Sequence, residues 1–273
     1  MKKRSLKIVL WVVSIVIFIV LTGIVISKYG RNKCKSIEIT IDAPADGAFL
    51  TEEDVMSYAV ESGSPLANKD LSKINVEKLE SIISSKPFVQ KSRVYLSING
   101  TLHIDVTQRT PIARVQPDTR LAGIAGINSS SYYISSDGRL MPLAKGKTAR
   151  VIFVNGNIRN LYNEMIKLDV DSTFIAQDSV GFFTTLYSLF HIAKYINEDD
   201  FLKAQIQQIF VDEKGDMILI PEVGKHIVIF GRGDNIDKKF RRLKLFYEKA
   251  TFIEGWDKYD TINIKFKDQI ICS

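Results

Sequence analysis

Few side chains in this sequence are grouped in a way that could carry out a reaction. Its three histidines, His103, His191 and His226, lie far apart, and none belongs to an H-E-x-x-H pair that would hold zinc. There is no G-x-S-x-G elbow to present a nucleophile and no P-loop to cradle phosphate. His103 falls on the polar side of an expected strand, His191 lies in a helix beside Phe190, and His226 opens a strand. Each reads as a solvated or satisfied residue. Asp199-Asp200 is a carboxylate pair, but adjacent side chains diverge, so it reads as the start of a helical turn. Gly231-Arg232-Gly233-Asp234 offers a phosphate loop or an adhesion tripeptide. It reads more simply as a glycine turn leaving a strand, with Asp234 near a helix start. Cys34 and Cys272 stand at opposite ends of the chain with no other Cys or His nearby, so zinc is not expected, nor a disulfide between them. Asn128-Ser129-Ser130 matches a glycosylation acceptor pattern. No catalytic residue, metal or cofactor is expected.

The elements explain why. Residues 8–26 are nineteen in a row without a charge, preceded by Lys2, Lys3, Arg4 and Lys7. At about 1.5 Å per residue the run is about 28 Å long, close to the ~30 Å hydrocarbon core of a bilayer. It is longer than a signal-peptide core and lacks an A-x-A-like cleavage site. Arg31-Asn32-Lys33 before Cys34 does not fit a lipoprotein. A retained transmembrane helix over 8–26 is expected, with 1–7 as a cytoplasmic tail and 27–35 as a basic linker. Four basic residues flank each side of the run, so charge bias alone does not set the topology.

The formal charge of +6 also traces to the tail. Four of the 37 Lys and Arg residues, and no acids, lie in 1–27, leaving 33 basic against 31 acidic residues. A nearly balanced remainder gives no reason to expect nucleic-acid binding.

Beyond the linker the pattern predicts an α+β fold in two domains. Ser36 to Ile41 alternates with period two, a half-buried strand. Thr51 followed by Glu52, Glu53 and Asp54 caps a helix running to about Glu61. Asn75 caps a second, with Val76, Leu79, Ile82 and Ile83 on one face. Val94, Leu96 and Ile98, then Leu102, Ile104 and Val106, alternate around Asn99-Gly100. A two-residue turn there would send the two apolar sets to opposite faces. A three-residue loop or a bulge, with Leu96 opposite Ile104, is therefore expected. The result is a β-α-α-β-β domain over 36–110, ended by Pro111, which cannot donate to a continuing ladder.

Residues 111–273 read as a mainly antiparallel β domain with two helices. Tyr132–Ile134 and Arg139–Met141 flank a Ser136-Asp137-Gly138 turn, and Val151–Val154 reads as a continuous buried strand. Helices are marked by Phe182, Leu186, Leu189, Ala193 and Ile196, and by Ile236, Phe240, Leu243, Tyr247 and Ala250. Between them Gln207–Val211, Asp216–Ile220 and His226–Phe230 form a meander, and Thr261–Phe266 is a closing strand.

Several stretches resemble one family. Pro87-Phe88-Val89 precedes Val94; Thr101-Leu102-His103-Ile104-Asp105-Val106 leads into Arg109-Thr110-Pro111; Tyr133 to Gly138 ends in Asp-Gly; and Tyr259 to Phe266 closes the chain. In this order they resemble the bacterial cell-division FtsQ/DivIB family, with a POTRA-like first domain. Gln108 stands where that family has glutamate, Asn99 where it has a turn proline, and Asn263 and Lys265 where it has aspartate and arginine. Ile37 to Ala48 fits the family's first strand and loop poorly.

The resemblance implies a non-enzymatic scaffold in the cytoplasmic (inner) membrane at the division septum, with its N-terminus in the cytoplasm and its domains outside. Its implied partners are FtsB- and FtsL-type coiled-coil proteins and the septal synthase pair FtsW–FtsI, with no nucleic acid and no small-molecule substrate. Family contacts gather on the closing strand, here Ile262, Ile264, Lys265, Phe266, Asp268 and Gln269. Thr261–Phe266 as a sheet edge would accept a partner strand, with Phe266 as the anchor. Pro87, Phe88, Val89, Arg109 and Pro111 are expected to be structural. Two alternatives stay open: another POTRA-bearing assembly or secretion component that binds a protein substrate, and an anchored envelope enzyme.

Overall fold

The computed structural model describes residues 11–24, 33–44, 48–61, 69–118, 131–144, 146–159, 182–251 and 255–273. Residues 11–24 form a helix, α1, with every side chain exposed. The ends of the apolar run, 8–10 and 25–26, lie outside the described residues, as does the Asn128-Ser129-Ser130 pattern. No described helix is long and apolar enough to cross a membrane.

The chain divides into two compact units, one of Met1–Asp42 with Leu50–Gln108 and one of Ala43–Phe49 with Arg109–Ser273. In the first, β1 (Ser36–Asp42), β2 (Val89–Leu96) and β3 (Thr101–Gln108) form a sheet in the order β1-β3-β2. Strand β1 runs parallel to β3, placing Ile37, Ile39 and Ile41 opposite Leu102, Ile104 and Val106. Helices α2 (Glu52–Val60) and α3 (Val76–Ser84) bury Val55, Ala59, Leu79 and Ile83 in the core shared with the sheet. Both start as their caps dictate. Thr51 accepts from the Asp54 amide while the Asp54 carboxylate accepts from the Thr51 amide, and Asn75 accepts from the Lys78 amide at 2.8 Å.

The β2–β3 hairpin corrects the expected register. Leu96 faces Leu102 and Val94 faces Ile104. The Ser97 amide donates to the Thr101 carbonyl at 2.9 Å, which leaves Ile98, Asn99 and Gly100 as a three-residue loop. The faces are those the apolar pattern requires, but the pairing is offset by two residues. Gly100 has a φ of +94°, the left-handed position such a loop assigns to glycine. Ile98 leaves the apolar alternation altogether.

The second unit has one nine-stranded mixed sheet among the described residues, in the order β12-β11-β10-β9-β8-β7-β4-β5-β6. Its strands are β4 (Pro111–Val115), β5 (Tyr132–Ser135), β6 (Leu140–Pro142), β7 (Ile152–Gly156), β8 (Ile206–Val211), β9 (Met217–Pro221), β10 (Ile227–Gly231), β11 (Thr261–Asn263) and β12 (Ile271–Cys272). Five neighbouring pairs are antiparallel; β4–β7, β7–β8 and β10–β11 are parallel. Helices α4 (Phe182–Glu198), α5 (Asp200–Gln205) and α6 (Ile236–Phe246) pack Leu186, Leu189, Ala193, Leu202, Phe240 and Leu243 into the sheet's core. Asp199 caps α5, accepting from the Leu202 amide at 3.0 Å. The run expected to be buried throughout at Val151–Val154 instead buries Ile152 and Val154 and leaves Phe153 half-buried, because the helical core covers one face of the strand.

Gly156 leaves β7 at a φ of +105°, and a Cβ there would lie 2.2 Å from the Val211 carbonyl oxygen. Both constraints demand glycine. Gly156→Ala is expected to destabilise the second unit by more than about 1 kcal/mol, read as a lower urea midpoint with no change in the hydrogen exchange of the first unit.

Candidate partner-binding site

The closing strand is shorter and more enclosed than its sequence suggests. Only Thr261–Asn263 is strand, and it is paired on both sides, parallel to β10 and antiparallel to β12. This corrects the expectation that Thr261–Phe266 forms the sheet edge. The edge on this side is β12, which the period-two pattern could not reveal because it is two residues long.

Alternation along β11 decides which side chains face outward. Ile262 and Ile264 are buried in the core with Phe240 and Leu243 of α6. Neither is available as a surface contact, so their expected part in partner binding reduces to holding the segment in place. The Ile264 amide still donates to the Ile229 carbonyl at 3.0 Å, and the chain then turns outward. The Asn263 side chain accepts from the Lys265 amide at 3.0 Å, and the Lys265 ammonium pairs with the largely buried Asp216. Phe266 is 44% exposed and therefore does not pack in its own core. Asp268 has a φ of +61°, and Asp268 and Gln269 are exposed.

One residue that the sequence reading did not single out holds this turn. The Arg242 guanidinium donates to the carbonyls of Phe266 at 2.8 Å, Gln269 at 3.1 Å and Ile264 at 3.2 Å. Five fixed donors on a planar group suit such multiple capture. Arg242 also lines a shallow pocket of about 260 Å³ with Lys238, Arg241, Phe266, Lys267 and Asp268. Nearby Lys239 is buried; its ammonium donates to the Arg232 carbonyl at 2.9 Å and to Asp234 at 2.8 Å, and lies 4.9 Å from the Phe230 ring centre. Burial works against the Asp234 carboxylate, but hydrogen bonds from Lys239 and Asn235 hold its pKa below the ordinary value. With Lys239 engaged inside and the Lys265 ammonium paired with Asp216, Lys238, Arg241 and Lys267 add exposed cations beside Phe266. The available signal was the basic density of Lys238 to Lys244, which the near-zero net charge averages away.

The motif residues meet at structural joints. Val89 opens β2 with its side chain fully buried; Pro87 and Phe88 form the turn before it, with Phe88 packed against the first core. Arg109 is mostly buried and pairs with Asp137, while Pro111 opens β4 opposite Ser135. The Ser135 hydroxyl donates to Asp137 at 2.6 Å, and the Ser136 amide donates to the Thr110 carbonyl at 2.8 Å. The Arg-Thr-Pro and Asp-Gly stretches therefore form one clip in the second unit.

The histidines sit in three different settings. His103 stacks on Tyr95 with ring centres 4.8 Å apart and lies 3.3 Å from the Glu38 carboxylate. His191 packs edge-on against Tyr187 and Phe190. His226 is buried, and its Nε2 lies 2.9 Å from the Tyr247 hydroxyl. Burial lowers the His226 pKa, outweighing the opposing influence of the Trp256 backbone and the Asp257 charge. Cys34 is buried in the first unit and Cys272 half-buried in the second; both are thiols. Among the described residues no three His, Cys, Asp or Glu side chains gather as a metal site.

Residues 110–273, more than half of the chain, match the family model described as FtsQ/DivIB, C-terminal related. Residues 32–107 match the model of a POTRA-like domain. Comparison with curated proteins gives no match.

Two outcomes are expected here. Arg242→Ala removes three charge-assisted contacts to the turn. It should speed amide exchange across Lys265–Ile270 at least tenfold, corresponding to about 1.5 kcal/mol or more of local stability, while β8 and β9 keep their protection. The second concerns acid. His226 has a folded-state pKa below its ordinary 6.5, so the unfolded chain binds the proton more readily. Its stabilising contribution is complete above about pH 6.5 and is lost as the pH falls through the folded value. Urea unfolding at pH 7.5 and pH 5 should show lower stability in acid, with a smaller difference in His226→Gln.

Proposed function

The chain belongs to the FtsQ/DivIB family, whose members are cell-division scaffolds, and from that premise we propose that it is a non-enzymatic, single-pass scaffold of the division machinery. It captures FtsB- and FtsL-type coiled-coil partners at the end of its second unit, and so helps regulate septal peptidoglycan synthesis by FtsW–FtsI. The observation that supports this most directly is the juxtaposition at the turn: the edge strand β12, the exposed Phe266 and the cationic pocket beside it.

A partner strand laid along β12 gains main-chain hydrogen bonds of about 0.5–1.5 kcal/mol each, net. With two residues in β12, that alone makes a weak complex. Phe266 adds an aromatic anchor of the kind that dominates interfaces. Lys238, Arg241 and Lys267 favour a partner segment carrying acidic residues and speed its encounter.

The anchor reading draws on the sequence and on α1. Residues 8–26 carry no charge, and Trp11 and Phe18 of α1 are 73% and 72% exposed. A helix that is apolar on all sides needs an apolar medium around it. In this reading residues 1–7 lie in the cytoplasm and both units lie outside, at the septum. The match over 110–273 favours this function over another POTRA-bearing assembly component, because a POTRA-like domain is common to both.

Phe266→Glu tests the capture site. The variant should keep its melting curve and lose partner capture by roughly 30-fold or more, equivalent to about 2 kcal/mol. Raising the salt from 0.05 to about 0.5 M should weaken capture by the unaltered chain. Unchanged pull-down of the coiled-coil pair by Phe266→Glu would remove the site. A fluorescent fusion that forms no band at midcell would remove the division role.

A further inference from the structure

The tip of the β2–β3 hairpin breaks a rule the rest of the first unit obeys. Among the described residues its other large apolar side chains face the core or lie along strands and helices. Ile98 stands in the three-residue loop itself, 84% exposed. The loop is tied to the chain segment that precedes β1. The Gly100 carbonyl accepts from the Lys35 amide at 2.9 Å, and a Cβ on Gly100 would lie 3.1 Å from the Lys33 carbonyl oxygen. The Lys35 side chain passes over Gly100, with its Cγ 3.5 Å from that same Cβ position.

The tip is therefore bound to the segment by which the chain enters the first unit. On the other side of that segment the Cys34 amide donates to the Lys69 carbonyl at 2.9 Å, and Lys33 bridges Asp70. Three separate stretches thus converge at one end, bringing Lys33, Lys35, Lys69 and Lys73 together beside Asp70, which pairs with Lys73 at 2.8 Å.

Chain length then limits where this end can be. From Ile26, the last residue of the apolar run, to Lys33 is seven residues, which reach at most roughly 25 Å when fully extended. Resting on the anchor proposed above, we infer that the hairpin tip docks the first unit on the bilayer. Ile98 enters the boundary between headgroups and acyl chains, and Lys33 and Lys35 lie against anionic headgroups. An isolated apolar side chain gives marginal membrane affinity alone, but a cationic collar and a covalent tether supply the second and third signals. Here the lipid acts as a surface that orients the unit.

The full chain reconstituted in vesicles of phosphatidylglycerol and phosphatidylcholine tests this. A water-sensitive fluorophore is placed on Ile98→Cys or, as a control, on Gln90→Cys at the far end of β2, in a Cys34→Ala, Cys272→Ser background. Position 98 should be quenched by lipid-borne quenchers several-fold more than position 90. The difference should fall in Lys33→Glu/Lys35→Glu and in vesicles of phosphatidylcholine alone. In the unaltered chain, amide exchange at Ser97–Gly100 should slow in the anionic vesicles. A chain that incorporates but leaves position 98 in water overturns the inference and spares the anchor. A chain that fails to incorporate overturns both. Protection of position 98 only when other division proteins are added would assign the tip to a protein partner and also overturn the inference.

Discussion

The candidate site depends on the capture of a three-residue strand between two neighbours. Strand β11 takes its parallel register from β10 and its antiparallel register from β12. Once Ile262 is committed to the core, period two commits Ile264 with it. That removes the two aliphatic side chains from the surface and forces the chain outward at Lys265. The surface proposed for partner capture is a consequence of this turn. Phe266 is exposed because the residue before the turn is buried, and the edge of the sheet passes to β12 because β11 is filled on both sides.

A turn that projects from a sheet is ordinarily the part that frays. Here Arg242 gathers the carbonyls of Ile264, Phe266 and Gln269 onto one guanidinium, and the Lys265–Asp216 pair ties the turn back to β9's entry. Both are interactions of the unbound chain. In the proposed complex they would reduce the ordering that a partner otherwise has to impose, and so favour affinity without contributing a contact. This separates residues that shape the site from residues that would meet a partner. Arg242 belongs to the first kind, Phe266 to the second.

Much of this was legible in the residues, and the failures have physical causes. Thr51, Asn75 and Asp199 announced helix starts because a capping side chain acts on its own backbone within three residues. The hairpin was legible in its faces but not in its pairing. Alternation fixes parity, and a shift of two residues preserves it. The parallel neighbours β4, β7 and β8 were not legible, because pairing across long connections leaves no local pattern. Strand β12 is too short to alternate. The role of Arg242 is carried by backbone carbonyls, which are the same for every sequence. Departures from the family pattern became intelligible only in three dimensions. Gln108 accepts from the Leu50 amide at 2.9 Å, as a glutamate would. Asn99 accepts from the Thr101 amide and Asn263 from the Lys265 amide, both at 3.0 Å. Gln108 and Asn263 keep a side-chain oxygen where glutamate and aspartate would have one, and Asn99 adds an acceptor that a turn proline lacks.

Charge shows the same difference between sum and arrangement. The chain beyond the apolar run is almost neutral, yet cations collect beside Phe266 in the second unit and around the hairpin tip in the first. In each place an exposed apolar side chain sits among them, Phe266 in one and Ile98 in the other. Screening in salt limits the reach of each cluster to about 8–10 Å. The pairing of one apolar side chain with several cations gives each site orientation as well as attraction. In both proposals the charges bring an anionic surface close, and the apolar group makes contact in one pose. Such pairings can be specific when the structure holds each apolar group in the open, as Gly100 and Arg242 do here.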